Sequence, residues 1–456
     1  MRLRLLPQVV LFALVLSGCV EQSNEVAPVL SGREYGVARP TQRSDVSKIA
    51  DPTGVVTLSQ ALALALEHNP ELKASSWDVL AAEAGRLQAS LRPNPKLGVQ
   101  IEEVGRTSER SGFDGAEATI KLSQPIELGQ KRARRTTLAS LERELAEWDF
   151  KTKRLDVTKE VTEAFVTVLA SQERLALTEE LVGVAEQAHN AVTQRVEAGR
   201  DSPIEQTKSA VALSTIRIEQ QKAERVLESA RKGLAAAWGG RTAGFDTVAG
   251  RFDKIVPVPS SAALGRLVSQ NPDIARWTVE KKARRAALEL EKARAVSDVT
   301  ISGGWQRFNE TDESAAVLGL SIPLPISNRN QGGIRRATYM LAKAEESHES
   351  AEIKILAALE EAAQRLAGAY AEATALKGDV LPGAQSSFDA VSEGYREGKF
   401  DYLQVLDAQR TLFETKGRYI ESLTAYHKAK ADAERLIGQS IESIKDIHED
   451  NHKESR

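Results

Sequence analysis

From Thr57 onward, apolar residues recur at helical spacing: Leu58, Ala61, Leu62, Ala65 and Leu66 share one face. Asn69-Pro70 ends this stretch, because a residue before proline is pushed out of the helical region. A second helix is predicted from about Glu71 to Leu91. The period then drops to two. Leu97, Val99 and Ile101 alternate with Gly98, Gln100 and Glu102, and Ala118, Ile120 and Leu122 alternate with Thr119, Lys121 and Ser123. These two runs predict a β-hairpin whose loop spans Arg106 to Gly115. Beyond it, no proline interrupts Gln130 to Ala198, where Val161, Ala164, Phe165, Val168 and Leu169 mark one helical side. A helix of some 65 residues reaches about 100 Å and needs partners along its length, as in a coiled-coil array.

The same order returns about 200 residues later, the signature of an internal duplication. Leu264, Leu267 and Val268 lead to Asn271-Pro272 and a helix ending near Ala295. Val299, Ile301 and Trp305, then Leu318, Leu320 and Ile322, form a second pair of strand candidates around a loop from Asn309 to Ser314. Leu122-Ser123-Gln124-Pro125 is echoed by Leu320-Ser321-Ile322-Pro323, and Trp238-Gly239 by Ile437-Gly438. Gly199 followed by Ser202, Pro203 and Glu205 is matched by Gly398 followed by Asp401 and Gln404. Each glycine is expected to end a long helix in the left-handed conformation. Ser202 or Asp401 then caps a returning antiparallel helix, with Glu205 or Gln404 closing a capping box. Each copy thus reads as helix, hairpin, long helix, tight turn and returning helix. Both turns fall at one end, and both hairpins at the other.

The resulting domain boundaries are 57–245 for the first copy, 246–259 for a linker broken by Gly250, Pro257 and Pro259, and 260–438 for the second copy. Residues 439–456 read as a charged, flexible tail. Ahead of the repeats, Arg2 and Arg4 precede the apolar run Leu11 to Leu16, which ends in Leu16-Ser17-Gly18-Cys19. This reads as a signal peptide over 1–18, with a lipobox-like cysteine at Cys19 and a polar lead-in over 19–56. Val20 follows the cysteine, and the position does not carry the aspartate of inner-membrane retention. The 456 residues contain one cysteine, which excludes an intrachain disulfide. A net charge of −3 gives no reason to expect nucleic acid as a partner.

After the signal, no run approaches eighteen apolar residues, so any further membrane crossing must use strands closed into a barrel. Strands of about nine residues with one apolar face fit lipid-facing barrel strands. They fit equally an ordinary hairpin on a soluble core, and the residues alone leave both readings open. Four strands are too few to close, since the smallest bacterial barrels have about eight. In lipid, several chains would have to associate.

The chain resembles the TolC-type outer-membrane efflux family over about residues 57 to 438. The resemblance rests on the paired Asn-Pro elements, the two Ser-x-Pro strand ends, and Tyr395-Arg396-Glu397-Gly398 followed by Val405-Leu406-Asp407-Ala408. It implies a mainly α fold with a membrane β-barrel: a homotrimer sharing twelve strands, with long helices forming a periplasmic α-barrel. It implies docking on an inner-membrane RND pump through a periplasmic adaptor, no catalysis and no cofactor. Gln124-Pro125-Ile126-Glu127-Leu128-Gly129-Gln130-Lys131-Arg132 is similar to the CzcC-type branch that serves heavy-metal efflux. Drug efflux and protein secretion are the other branches open to it, and a structural coiled-coil lipoprotein is the reading from a different class. By motif, Asp407 matches an acidic residue lining the family's periplasmic aperture, with Gln404 where a second aspartate can stand and Glu205 at the equivalent place in the first copy. The turns at Gly199, Ser202, Gly398 and Asp401 are the expected adaptor contacts. His448 and His452 form a helically spaced pair in the tail, read as part of a solvated terminus rather than a metal site.

Overall fold

The computed structural model describes residues 52–105, 113–268 and 271–442. The first copy comprises β1 (Gly54–Thr57), α1 (Leu58–His68), α2 (Pro70–Ser90), β2 (Lys96–Glu102), β3 (Glu117–Ile126), α3 (Lys131–Glu197) and α4 (Pro203–Ala237). After β4 (Phe245–Ala249), the second copy runs through α5 (Ser261–Gly265), α6 (Pro272–Arg294), β5 (Val299–Phe308), β6 (Glu313–Ser321), α7 (Gln331–Ala375), a π-helical segment (Leu376–Val380), α8 (Leu381–Arg396) and α9 (Tyr402–Ile437). The fold is therefore mainly α with a small sheet, built twice. Cys19 and the pair His448 and His452 lie outside the described residues, as do the proposed signal and most of the lead-in and tail.

The two Asn-Pro landmarks and the two glycine landmarks turn out to touch. Asn69 is buried and caps α2, its Oδ1 accepting from Leu72 N at 2.9 Å, while Pro70 occupies the first helical position. Its Nδ2 donates to the carbonyl of Ala237 at 2.8 Å, on the last turn of α4. Gly239 follows at φ +88° and packs so tightly that a Cβ there would sit 3.0 Å from Pro70 Cδ. The second copy repeats the device. Asn271 caps α6 through Asp273 N and donates to Leu436 O on α9, and Gly438 at φ +74° lies beside Pro272. One asparagine in each copy thus joins the start of one helix to the end of another, some 165 residues away.

Both copies build their cores from this clasp. In the first, Trp238, Phe245, Leu234 and Val161 are fully buried with Ala61, Ala65 and Ala235, whose small side chains let the helices approach closely. In the second, Leu264, Leu366, Tyr426 and Ile437 play the same part. Two segments differ from expectation. Residues 54–56, read as lead-in, form β1 and pair in parallel with β4, which straddles the boundary of the expected linker. Ile441, placed in the flexible tail by its polar surroundings, is buried in the second core, and Glu442 pairs with Lys430 at 2.7 Å. Beyond β4, the linker lies along α9, where Tyr426 Oη accepts from Val256 N and donates to Val256 O, both at 3.0 Å.

The four long strands form one antiparallel sheet in the order β2-β3-β5-β6, so the hairpins of the two copies meet through β3 and β5. Their registers align the apolar positions in rows. Leu97, Leu122, Gly303 and Leu318 form one row, and Val99, Ile120, Trp305 and Ala316 the next. The face is uncovered: Leu97 is 65% exposed and Leu318 87%. The opposite face carries Lys121, Gly304, Gln100, Thr119 and Gln306. Pro125 sits within β3 although proline cannot donate to a ladder. It is tolerated because β2 ends opposite Ser123, leaving β3 with one neighbour at that point. Strand then passes to helix through Gly129 (φ +65°) and Gln130 (φ +61°), where a Cβ on Gly129 would lie 3.0 Å from Val296. Lys131 pairs with Asp298 at 2.6 Å and Arg135 with Glu127 at 2.6 Å, fixing the joint.

As expected, α3 is uninterrupted for 67 residues, about 100 Å. It packs against α2 and α6 in its first part and against α4 and α9 in its second. The matching helix of the second copy is not uniform. Pro382 removes a backbone donor and its ring crowds the carbonyl four residues back. The helix widens just before it, over Leu376–Val380, and continues as α8.

The clasp makes a graded prediction. Asn69→Ala removes the cap and strands a buried carbonyl, costing about 1–3 kcal/mol. Asn69→Ser keeps a cap acceptor without adding a charge and loses the donor to Ala237 O, so its cost is smaller. Heat-denaturation midpoints of the purified variants should fall in that order, and Asn271→Ala should resemble Asn69→Ala.

Candidate functional site

The two helix turns close with one backbone scheme. Gly199 (φ +68°) donates to Val196 O at 2.9 Å, and Arg200 N reaches back to Arg195 O at 2.8 Å. Gly398 (φ +79°) donates to Tyr395 O at 3.0 Å, and Lys399 N to Gly394 O at 2.7 Å. Both are the glycine-terminated ends expected, with two orphan carbonyls satisfied in each. No atom stands where a Cβ of Gly199 or Gly398 would go, so the left-handed φ alone calls for glycine there.

The caps differ. Asp401 and Gln404 form the full capping box: Gln404 N donates to Asp401 Oδ1 at 3.0 Å, and Asp401 N to Gln404 Oε1 at 3.3 Å. The expected box at Ser202 is not formed. Ser202 Oγ accepts from Ile204 N at 3.4 Å, and Glu205 turns away to Lys208 at 3.0 Å. Its other oxygen, Oε2, is buried without a hydrogen-bond partner. With Pro203 at the first helical position one donor is already absent, and Glu205 is drawn instead to a cation one turn on.

Asp401, Gln404 and Asp407 line one groove of about 430 Å³ between α8 and α9, together with Leu403 and Phe400. Gln404 Oε1 is engaged by its cap, whereas Asp407 is exposed on α9, with Arg410 as its charged neighbour one turn on. Glu205, from the other turn, lies close enough to Tyr402 to act on its hydroxyl. Burial first, and that carboxylate second, push the Tyr402 phenol up to about 12. The structure therefore brings Glu205 and the start of α9 to the same end of the molecule.

A cluster that the sequence reading did not single out holds these hairpins together. Arg195 grips Asp201 through two bonds of 2.8 and 3.1 Å. Tyr395 Oη donates to the same carboxylate at 2.9 Å, and Arg195 donates to Tyr395 O at 3.3 Å while lying 4.8 Å from the ring centre. Beneath it, Val192, Tyr395, Tyr402 and Val405 form a small buried core. The Arg195 guanidinium, with help from Tyr395, holds the Asp201 carboxyl below its usual range despite burial. Burial and the Asp201 charge raise the Tyr395 phenol. The available signal was Asp201 itself, a carboxylate between the turn glycine and the cap, with tyrosine at position 395 in the other copy's last helical turn.

The second copy fills the equivalent positions differently. Gly394 stands where Arg195 would be, and Phe400 where Asp201 would be. Phe400 packs on Gly394, so closely that a Cβ there would fall 2.3 Å from the ring. Among the described residues, no group of three or more His, Cys, Asp or Glu side chains is placed to hold a metal ion.

Two outcomes follow from the cluster. The folded pKa of Asp201 is lowered, so its contribution is complete above the ordinary carboxylate pKa of about 3.9 and is lost as pH falls through the lowered value. Asp201→Asn should therefore increase proteolytic nicking near Gly199 at neutral pH and leave nicking unchanged at strongly acidic pH, read with an acid-active protease. Gly394→Ala should expel Phe400 and increase nicking near Gly398 at both pH values, because the contact it breaks is apolar.

The comparisons with known proteins match this architecture. The model of the outer membrane efflux protein family fits residues 61–240 and 263–439, once for each copy. The chain is 35% identical to the cobalt-zinc-cadmium resistance protein CzcC of Cupriavidus metallidurans, over 85% of this chain and 91% of that one. It is 25% identical to the nickel-cobalt-cadmium resistance protein NccC of Alcaligenes xylosoxydans xylosoxydans, over 69% and 70%. The crystal structure of CusC superposes with a TM-score of 0.70 at 16% identity, covering 85% of this chain and 94% of that one, and so supports the fold. With both copies matched and the fold shared, the chain belongs to the outer membrane efflux protein family.

Proposed function

We propose that three copies of this chain assemble into an outer-membrane conduit that exports divalent heavy-metal cations. An RND pump in the inner membrane supplies the cargo through a periplasmic adaptor. The reading of the cargo is carried by one observation: the 35% identity, across 85% of the chain, to a protein named for cobalt, zinc and cadmium resistance. The need for several copies is supported by the sheet. Among the described residues its apolar face is uncovered, and β2 and β6 each have one neighbour only. Unpaired strand edges are intolerable in hydrocarbon, so the sheet must be continued by other chains. Three sheets of four strands give a barrel of twelve.

In this assembly the helix turns face the periplasm, and Gly199, Ser202, Gly398 and Asp401 meet the adaptor. Asp407, exposed and bound to no other side chain by a hydrogen bond in the described structure, supplies one carboxylate per copy to the aperture. Three such charges near an axis attract cations and repel one another. The chain acts as a passage and needs no tight metal ligands, since strong binding would slow release. Cys19 carries the lipid that anchors the periplasmic side to the outer membrane.

The decisive test replaces the gene in a strain lacking it. The wild-type chain should restore growth on zinc, cadmium and cobalt and leave tolerance to detergents and drugs unchanged; the reverse pattern refutes the metal assignment. In planar bilayers, Asp407→Ala should lower cation selectivity and change single-channel conductance, and identical traces would remove Asp407 from the aperture. Cys19→Ser should still need detergent for extraction from membranes, because the barrel alone holds the assembly there.

A further inference from the structure

A cavity of about 850 Å³ lies between α3, α4 and α9, on a different face of α9 from the groove that holds Asp407. Its walls are largely aliphatic and aromatic, with Leu177, Ile216, Val226 and Phe413 among them. The polar groups on these walls are almost all spent. Thr167, Ser171, Thr215 and Thr424 donate to carbonyls one turn back on their own helices. Lys222 pairs with Glu219 at 2.7 Å, and Arg410 with Glu414 at 2.6 Å.

One donor is not spent, and a second is only loosely paired. Gln409 is 3% exposed, and its Nε2 has no hydrogen-bond partner. Leaving such a group unpaired costs about 1–3 kcal/mol, so a donor kept in an apolar wall implies an acceptor to meet it. The second is Arg174, half exposed at the cavity edge and paired with Glu421 only at 3.9 Å, beyond hydrogen-bond reach. Its guanidinium lies over Gly417, where a Cβ would come within 2.4 Å of Nη1. Gln409 and Gly417 are eight residues apart on α9, about 12 Å along the axis, and Phe413 stands midway.

We propose that this cavity is a binding site for an elongated apolar molecule with an oxygen acceptor at each end, anionic at the end that meets Arg174. Gln409 Nε2 donates to the far acceptor, and Phe413 packs on the apolar middle. The glycine at 417 leaves the room in which the guanidinium lies. The site is separate from the aperture and does not depend on the metal assignment.

A medium-chain α,ω-dicarboxylate, decanedioate, matches this spacing and is soluble enough to titrate. Binding to the full-length assembly in nanodiscs should be saturable at one per chain by calorimetry. Decanoate, which lacks the second acceptor, should bind about tenfold more weakly, the worth of one good charge-assisted hydrogen bond. Decanol should not compete. Gln409→Leu should weaken decanedioate and leave decanoate unchanged, whereas Arg174→Gln should weaken both. Ala223→Phe, on the α4 wall, should abolish binding with the helical content unchanged by circular dichroism. The proposal is overturned if decanedioate and decanoate bind alike, or if the two donor variants leave both affinities unchanged. Absence of binding to the wild-type assembly also overturns it, since the cavity is then covered by another chain.

Discussion

A helix cap is ordinarily a local matter, worth about one kcal/mol and confined to one turn. In this chain the cap residue has a second job that is global. Asn69 uses its oxygen to start α2 and its nitrogen to hold the end of α4, with the whole hairpin and the α3–α4 excursion lying between the two. Both partners are backbone groups in a buried place, where an unmet carbonyl or amide is expensive. Pro70 and Gly239 make the approach possible, one by lacking an N–H at the first helical position and the other by lacking a Cβ. Asn271, Pro272 and Gly438 repeat the arrangement. Because the clasp fixes where each excursion begins and ends, the strands are delivered to one end and the turns to the other.

From that fixed point the two ends face opposite demands. At the strand end, rows of apolar side chains run across four strands and stop at two open edges. A single copy is therefore an unfinished object, and the proposed assembly is what such a sheet requires in lipid. At the turn end the chain is complete in itself. The hairpins are tied by Arg195, Asp201 and Tyr395 above a small apolar core. Incompleteness at one end and closure at the other suit a wall whose membrane part is shared between chains.

Much of this was legible in the sequence because it is written in period and punctuation. The change from helical spacing at Leu58–Leu66 to alternation at Leu97–Ile101 marks real elements, and Gly199 and Gly398 end helices by a conformational rule that context rarely overrides. What escaped depends on distant partners. β1 is four residues long and exists because β4 lies beside it, which no local pattern announces. Ile441 reads as one apolar residue in a polar tail, yet a core is waiting for it. The capping box expected at Ser202 failed because Glu205 had Lys208 within reach, a competition that spacing alone does not resolve. Asp201 was passed over because its partners, Arg195 and Tyr395, come from a preceding helix and from the other copy.

Duplication explains why the two turns share a backbone, and it exposes where they parted. At the equivalent positions one copy has an arginine and an aspartate, the other a glycine and a phenylalanine. Either pair closes the same loop. The first does so with charge, so its strength depends on proton and salt concentration. The second does so with an aromatic ring pressed on a bare Cα, which neither condition touches. Within one chain the two turns are thus held by different chemistry, an ion pair at the first and a ring packed on glycine beside the Asp401 cap at the second. The charged turn is also the one that reaches across to Tyr395 of the other copy.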